Sequence, residues 1–189
     1  MDAPCDLDVF EHLARTRRTS LLVDLVRPVP GALVERLLAT ATWAPNHKRT
    51  WPWRFAVCTG EARSALGEAF ADAQAAAGLT DGVKLAKTRG KYRRAPVVVL
   101  VGADPHDRPE LDVENRDAVA AAVQNVLLAS TAAGLASFWS SAPVGQDAAV
   151  ASFAGFPPAT RFVAVLYLGW PAGTVEVPER PPAPITWLG

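Results

Sequence analysis

The sequence feature that most constrains the fold is an uninterrupted apolar run, Ala95-Pro96-Val97-Val98-Val99-Leu100-Val101-Gly102. A strand with one face in water alternates polar and apolar residues, whereas a strand buried on both faces is a continuous apolar stretch rich in β-branched side chains. The run therefore predicts a strand in the middle of a sheet.

Helical and extended patterns lie on both sides of this run in the sequence. Leu7, Phe10 and Leu13 have helical spacing, and a second apolar stripe ends at Ala41, before Ala44-Pro45. The predicted helices cover residues 6–17, 33–41, 61–77, 113–133 and 147–153, the further strands cover 54–59, 135–139 and 161–168, and residues 104–112 form a loop. Several connections are too short for regular crossovers, so we expect an α+β topology with an α/β composition, in which helices flank a mixed sheet.

Length and charge narrow the class of protein. The chain is predicted to form a single domain, 1–189, whose last segment, 171–189, is rich in proline and lacks periodicity. The 19 basic and 19 acidic side chains balance, so we expect no nucleic acid or anionic membrane as a partner. The longest apolar stretch, 118–134, contains Gln124 and Asn125 and is short for a membrane span. Two cysteines without a CxxC motif, and a start without a signal-peptide pattern, predict a cytoplasmic protein.

Several common catalytic motifs do not occur in the sequence. It has no GxGxxG turn after a strand, no GxxxxGK[ST] phosphate loop, no HExxH and no GxSxG, and its three histidines are scattered. These absences argue against a Rossmann dehydrogenase, a P-loop enzyme, a metal enzyme and a serine hydrolase. We therefore expect no metal site.

The segment 43–55, which we call the aromatic loop, has the composition of a binding loop. It holds three tryptophans, two prolines, one histidine and three cations within thirteen positions, and a basic cluster, Arg17-Arg18-Thr19-Ser20, lies upstream. Aromatic faces, rigid turns and cationic donors are what a pocket for a planar anionic molecule requires. The segment therefore predicts a small-molecule site.

Four motifs, in order along the chain, resemble those of the nitroreductase family of FMN flavoproteins, particularly its smaller members. They are Arg17-Arg18-Thr19, Ala44-Pro45-Asn46-His47-Lys48 leading to Pro52-Trp53, the helix from Ala121 to Gly134, and Leu166-Tyr167-Leu168-Gly169-Trp170-Pro171. The resemblance spans almost the whole chain. It implies a nitroreductase-like, mainly antiparallel sheet, and a homodimer with FMN at the interface and the tail packed on the partner subunit.

The resemblance assigns the FMN phosphate to cationic residues from both ends of the chain. Arg17, Arg18 and Thr19 are expected to bind it, and Arg180 resembles a late phosphate-binding arginine of the family. A dianionic phosphate suits bidentate and charge-assisted donors. The alternatives are that the first arginines face solvent and complement a helix dipole, and that the tail carrying Arg180 is simply solvated.

The flavin ring is assigned to two other segments. His47, with Trp43, is expected to contact the flavin, and Trp139, Ser140 and Ser141 are expected to bring backbone N–H groups to its reactive N5 edge. A satisfied structural histidine and an ordinary strand-to-loop turn are the respective alternatives. No side chain is expected to be catalytic, because flavin N5 is the reactive centre.

Some positions depart from the family pattern. Leu21 replaces a basic residue, Trp51 replaces a glutamine, and Ser140 replaces an arginine of close small relatives. We expect Trp51 and Trp53 to serve packing, which is the usual role of tryptophan. The departures put the ring environment and the substrate preference in question.

The resemblance implies a ping-pong oxidoreductase in which NADH or NADPH reduces FMN, and a nitroaromatic, a quinone or an unsaturated compound is then reduced. A flavin-binding or sensory module without turnover is the second hypothesis, and a cofactor-free interaction domain is the third. The basic residues between Lys84 and Arg94 are expected either to form a solvated helix face or to attract a phosphorylated nicotinamide.

Overall fold

The structure is a computed structural model that describes residues 6–141 and 145–189. Within these residues six α-helices and four strands follow one another along the chain. The helices are α1 (Asp6–Thr16), α2 (Gly31–Ala41), α3 (Ala62–Ala76), α4 (Gly82–Lys91), α5 (Pro109–Ala132) and α6 (Asp147–Ala154). The strands are β1 (Trp53–Cys58), β2 (Val97–Ala103), β3 (Ala136–Ser141) and β4 (Arg161–Gly169).

The four strands form one sheet in the order β1-β2-β4-β3, and every neighbouring pair is antiparallel. All seven residues of β2 are buried, which confirms the prediction of a central strand covered on both faces. A parallel element is present as an isolated bridge between Thr19 and Ser137, on the outer edge of β3. The predicted α+β fold, with a mainly antiparallel sheet flanked by helices, is confirmed.

Each face of the sheet has its own hydrophobic core. Val97, Val99 and Val101 of β2 point into the core formed with α2 and α5. Val98 and Leu100 point to the other face, where α3 and α6 cover them. Successive side chains of a strand point to opposite faces, so one apolar run supplies both cores.

Helix α5 begins four residues earlier than its predicted start, which corrects the predicted loop 104–112. Pro109 occupies the first turn of the helix, where its missing N–H costs no hydrogen bond. Other predicted elements lie within two residues of the observed bounds. Helix α4 was given no predicted bounds, and only a solvated helix face was considered for its basic residues. Its sequence holds four basic and only three apolar side chains, and none of its residues is buried.

The C-terminal tail differs from the core of the protein. Residues 171–189 are exposed throughout, and the structure assigns no helix or strand to them.

Cys58 is buried in β1, and burial raises the pKa of its thiol. Cys5 lies outside the described residues. None of the helices in the described part of the chain is long and apolar enough to cross a membrane.

Candidate functional site

A cleft of about 710 Å³ lies between the end of α1, the middle of α5 and the C-terminal tail. We call it the arginine cleft, because Arg17, Arg18 and Arg180 line it together. Its other lining residues are Ala14, Arg15, Gln124, Val177, Pro178 and Glu179. The structure thus brings the predicted Arg180 to the N-terminal basic cluster.

The arginine cleft has an excess of positive charge. Partial burial lowers the pKa of Arg17, and the nearby charges of Arg18 and Arg180 lower it further. The side chains of Arg17 and Arg180 form no ion pair with an acid in the described part of the chain, and Glu179 is the one described carboxylate that lines the cleft. Charges of one sign at close range favour the binding of an opposite charge. The cleft is therefore suited to an anion.

Arg18 has a structural role as well as a place in the cleft. Its Nη1 donates to the carbonyl oxygen of Arg17 at 2.5 Å, and its Nη2 donates to the carbonyl oxygen of Arg15. These bonds satisfy backbone acceptors at the end of α1. The Nε of Arg18 is buried without a hydrogen-bond partner, which leaves one donor unsatisfied.

Thr19 connects the arginine cleft to the outer edge of β3. It forms a parallel bridge with Ser137, and the N–H of Ser20 donates to the carbonyl oxygen of Ser137 at 3.0 Å. Hydrogen-bonding groups alternate in direction along a strand, so Trp139 and Ser141 direct their backbone groups to the same outer edge as Ser137. We infer that their N–H groups are directed outward from the edge of the sheet.

A second cleft, of about 470 Å³, follows this edge; we call it the β3 cleft. Trp139, Ser140 and Ser141 line it together, as expected for residues of one site. The cleft is also lined by Gln74, Thr88, Lys91, Tyr92 and Phe138. Trp139 is 36% exposed, which leaves its ring accessible at the cleft.

The aromatic loop lines neither of these clefts within the single chain. His47 begins a short 3-10 helix, and its Nδ1 lies 2.6 Å from Oε2 of Glu114 on α5. Trp43 is 87% exposed. The structure therefore separates Trp43 and His47 from the other predicted flavin contacts, and it gives His47 a structural partner.

The backbone of the aromatic loop is unusual. Lys48, Arg49 and Trp51 have φ angles of 60°, 52° and 51°, in the left-handed region that side chains other than glycine rarely adopt. Such conformations persist where the surroundings hold them. Asn46 supplies part of this support, since its side chain donates to Thr50 Oγ1 and accepts from the N–H of Trp51, each at 2.9 Å.

A buried polar side chain anchors the loop to the rest of the fold. Asn115 of α5 is 3% exposed and accepts a 2.5 Å hydrogen bond from the hydroxyl of Thr50. Its Nδ2 donates to the carbonyl oxygen of Asp104 at 3.1 Å. The loop is thus held by satisfied side-chain hydrogen bonds.

The structure supports the predicted packing role more fully for Trp53 than for Trp51. Trp53 packs against the core formed with α2 and α5. Trp51 is 55% exposed and meets the edge of the Trp53 ring at a centroid distance of 5.8 Å. Packing therefore accounts fully for Trp53 and only in part for Trp51.

Sequence reasoning missed several residues that line the two clefts or support the loop. They are Gln124 in the arginine cleft, Gln74 and Thr88 in the β3 cleft, and Asn115 under the aromatic loop. Lys91, which also lines the β3 cleft, belongs to the basic cluster already identified in the sequence. A polar residue that interrupts an apolar helix is a usable signal, and Gln124 carries it. Asn115 does not, because its neighbours Glu114 and Arg116 are charged. The residues of α3 and α4 carry no such signal.

Comparisons with known proteins support a family assignment. The chain is 29% identical over 177 residues to “Putative NAD(P)H nitroreductase YfhC” of Bacillus subtilis, an alignment that covers 92% of this chain and 90% of the relative. The nitroreductase-like protein of Bacillus cereus has a similar structure, with a TM-score of 0.80 and 24% identity over 96% of this chain and 94% of that one.

A second solved structure is that of a “putative nitroreductase in complex with FMN” from Desulfovibrio desulfuricans. It has a TM-score of 0.68 and 26% identity, and covers 96% of this chain and 94% of that one. The family model of the nitroreductases matches residues 15–170, which include β1 to β4 and the basic cluster at the end of α1. The sequence, the fold and these matches agree, and the chain belongs to the nitroreductase family.

Proposed function

We propose that this protein is an FMN-dependent oxidoreductase that takes hydride from NADH or NADPH and reduces a small oxidised acceptor. Membership of the nitroreductase family supports this function. The B. subtilis relative is named for NAD(P)H, and the D. desulfuricans structure holds FMN. The observation in the chain itself that carries the proposal is the convergence of Arg17, Arg18 and Arg180 on one cleft.

The arginine cleft fits the phosphate end of FMN. A phosphate dianion would offset the repulsion between the arginines, and the guanidinium of Arg17 offers paired donors to its oxygens. The unsatisfied Nε of Arg18 is a further buried donor beside the cleft. Arg180 would add charge from the tail, and the exposed Thr19 would offer its hydroxyl. We assign these four residues to the phosphate.

The β3 cleft fits the ring end of the same molecule. From Ser137, beside Thr19, the strand extends about 7 to 13 Å to Trp139 and Ser141, at roughly 3.3 Å per residue. An elongated ligand could therefore contact both regions. The outward N–H groups of Trp139 and Ser141 would polarise the reactive edge of the ring, with Ser140 between them.

Bound FMN would supply a two-electron hydride carrier, which suits a ping-pong cycle between a nicotinamide and an acceptor. The residues of the chain would position the ring and the two substrates in turn. Nitroaromatics, quinones and other small unsaturated compounds are the acceptors that we propose. Water can supply the proton that accompanies hydride on the acceptor, so we assign no side chain to deliver it.

We also propose a homodimer in which the partner completes the flavin site. Helix α1 has no buried residue, and its apolar side chains Leu7 and Phe10 are 63% and 55% exposed. The tail likewise exposes Trp187. Apolar surface of this kind gains stability when a second subunit covers it. Trp43 and His47, which line neither cleft within one chain, would contact the flavin of the partner.

Size analysis with light scattering at low protein concentration tests the shared site. We expect a dimer that holds FMN, and dissociation should release the flavin. A monomer that retains its flavin would contradict the shared site. The predicted cytoplasmic location is also part of this proposal.

The visible spectrum tests the cofactor, and anaerobic mixing with NADH or NADPH tests the enzyme. We expect a yellow protein whose flavin absorbance bleaches rapidly with at least one nucleotide. A bound flavin that neither nucleotide bleaches would instead favour the binding or sensory module. Colourless protein that does not take up added FMN would favour the cofactor-free interaction domain.

A further inference from the structure

A third cleft, of about 670 Å³, lies between α3 and α4. We call it the α4 pocket. Four basic side chains line it: Lys84, Lys87, Lys91 and Arg94. No acidic residue is among its lining residues in the described part of the chain. A concave surface with charge of one sign concentrates ligands of the opposite charge.

The basic residues of α4 differ in whether they have acidic partners. Arg89 lies 2.8 Å from Glu68 and 3.8 Å from Asp72, and is compensated on the side of α3. Lys84 lies 3.5 Å from Asp81. The described residues supply no such partner for the other three cations of the pocket, which are Lys87, Lys91 and Arg94. Three of the four cations that line the pocket are thus uncompensated, whereas the compensated Arg89 does not line it.

Two of these cations have restricted positions. The guanidinium of Arg94 lies 5.2 Å from the centre of the Tyr167 ring, and its Nε donates to the carbonyl oxygen of Lys91 at 2.9 Å. The ammonium of Lys91 lies 5.8 Å from the centre of the Tyr92 ring. Burial lowers the pKa of Lys91, and the charges of Arg94 and Lys87 lower it further. The three charges repel one another, and a bound anion would relieve that repulsion.

The α4 pocket is continuous with the β3 cleft. Gln74, Thr88 and Lys91 line both of them. A molecule whose reacting part lies in the β3 cleft can therefore extend its remote part over α4. An anion bound there would belong to a reactant at the proposed flavin site. It would be separate from a phosphate in the arginine cleft, because the two clefts share no lining residue.

We propose that Lys87, Lys91 and Arg94 bind the 2′-phosphate of NADPH and give the enzyme a preference for NADPH over NADH. This proposal rests on the proposed function, since it places the hydride donor in the β3 cleft. The 2′-phosphate is a compact dianion and the group that distinguishes the two nucleotides, so three uncompensated cations match its charge. The residues act on nucleotide preference and have no part in the chemistry.

The first test measures binding without turnover. Isothermal titration of the purified protein with adenosine 2′,5′-bisphosphate should show binding, and adenosine 5′-monophosphate should bind about tenfold more weakly or worse. The Lys91→Gln variant, and independently Lys87→Gln, should lose about tenfold in affinity for the bisphosphate. Arg89→Gln is the matched control, because Arg89 lies on the same helix with its charge already compensated. It should bind within about twofold of the unaltered protein.

The second test is the ratio of kcat/KM for NADPH to that for NADH. It should fall about tenfold in Lys91→Gln and Lys87→Gln, and remain unchanged in Arg89→Gln. Equal losses with both nucleotides would overturn the proposal, as would equal binding of the bisphosphate and the monophosphate. A changed KM for a carboxylated acceptor, with an unchanged nucleotide ratio, would assign the pocket to the acceptor and also overturn it. Failure to bind FMN would refute the proposed function, whereas the titration would still decide whether the pocket binds the phosphate.

Discussion

The arginine cleft and the aromatic loop differ in how their polar groups are satisfied. Arg17 and Arg180 share a cleft with no ion-pair partner in the described part of the chain. In the loop, by contrast, Asn46, Thr50 and Asn115 bond to one another or to nearby backbone. The cleft has charge left over for a ligand, whereas the loop uses its polar groups to hold its own shape. Residues proposed to bind a ligand can therefore be distinguished from residues that hold the loop in place by whether their polar groups already have partners in the protein.

The largest effect is expected from Arg17→Ala. Loss of a charge-assisted contact with the phosphate should weaken FMN binding about 10- to 100-fold, measured by fluorescence titration of the apoprotein. The melting temperature of the apoprotein should stay nearly the same, because the side chain of Arg17 forms no ion pair within residues 6–141 and 145–189.

Arg15→Ala is the control for this change. Arg15 lines the same cleft but lies 3.0 Å from Glu11 in an exposed ion pair. Its removal should change FMN affinity less than about threefold. Similar losses in the two variants would mean that general charge, and not an unpaired arginine, attracts the cofactor.

Asn115→Ala tests whether hydrogen bonds hold the aromatic loop in place. It leaves the Thr50 hydroxyl and the carbonyl oxygen of Asp104 without their present partner, and should destabilise the fold by about 2 kcal/mol. Urea denaturation of the apoprotein measures this loss. Arg116→Ala, an exposed change on the same helix, should stay within about 0.5 kcal/mol. If Asn115→Ala were as mild as its control, the loop would not depend on this anchor.

A smaller effect, of opposite sign, is expected from Glu179→Gln. Glu179 is the carboxylate among the described lining residues of the arginine cleft, so its neutralisation should tighten FMN binding by about two- to threefold. The gain should shrink at high salt, because the cleft is open to solvent. Weaker binding would show instead that Glu179 orients one of the arginines.

The smallest effect is expected from Glu114→Gln. Nδ1 of His47 lies 2.6 Å from Oε2 of Glu114, and the two side chains are 57% and 45% exposed; exposed pairs of this kind contribute less than about 1 kcal/mol. The thermal midpoint should therefore change little. A large loss of FMN affinity with unchanged stability would indicate that Glu114 fixes the orientation of His47 at the flavin of the partner.

Much of the fold could be predicted because it depends on local apolar patterns. The β2 run is continuously apolar, as a strand buried on both faces requires, the α2 stripe has helical spacing, and α5 contains most of the longest apolar stretch. Helix α4 was given no bounds, because its ten residues hold four basic and only three apolar side chains, too few for such a stripe. The early start of α5 escaped prediction because Pro109 resembles a break in the chain, although proline is also common in a first helical turn.

The candidate site was harder to predict than the fold. The family resemblance named Arg17, Arg180 and Trp139, but nothing in the spacing of these residues relates one to another. Gln74 and Thr88 could not be found, because neither belongs to a motif or breaks a pattern. The division between binding and supporting residues in the aromatic loop depends on hydrogen-bond partners such as Asn115, which lies far along the chain.

The sequence by itself determined the family, the central strand and the flanking helices, because hydrophobic periodicity and ordered motifs are local properties of the chain. Only the tertiary structure decided that Arg180 of the tail reaches Arg17, and that Lys91 borders both the α4 pocket and the β3 cleft. The physical reason is that electrostatic interaction depends on distance in space and on the partners already present. The order of the residues specifies neither these distances nor these partners directly.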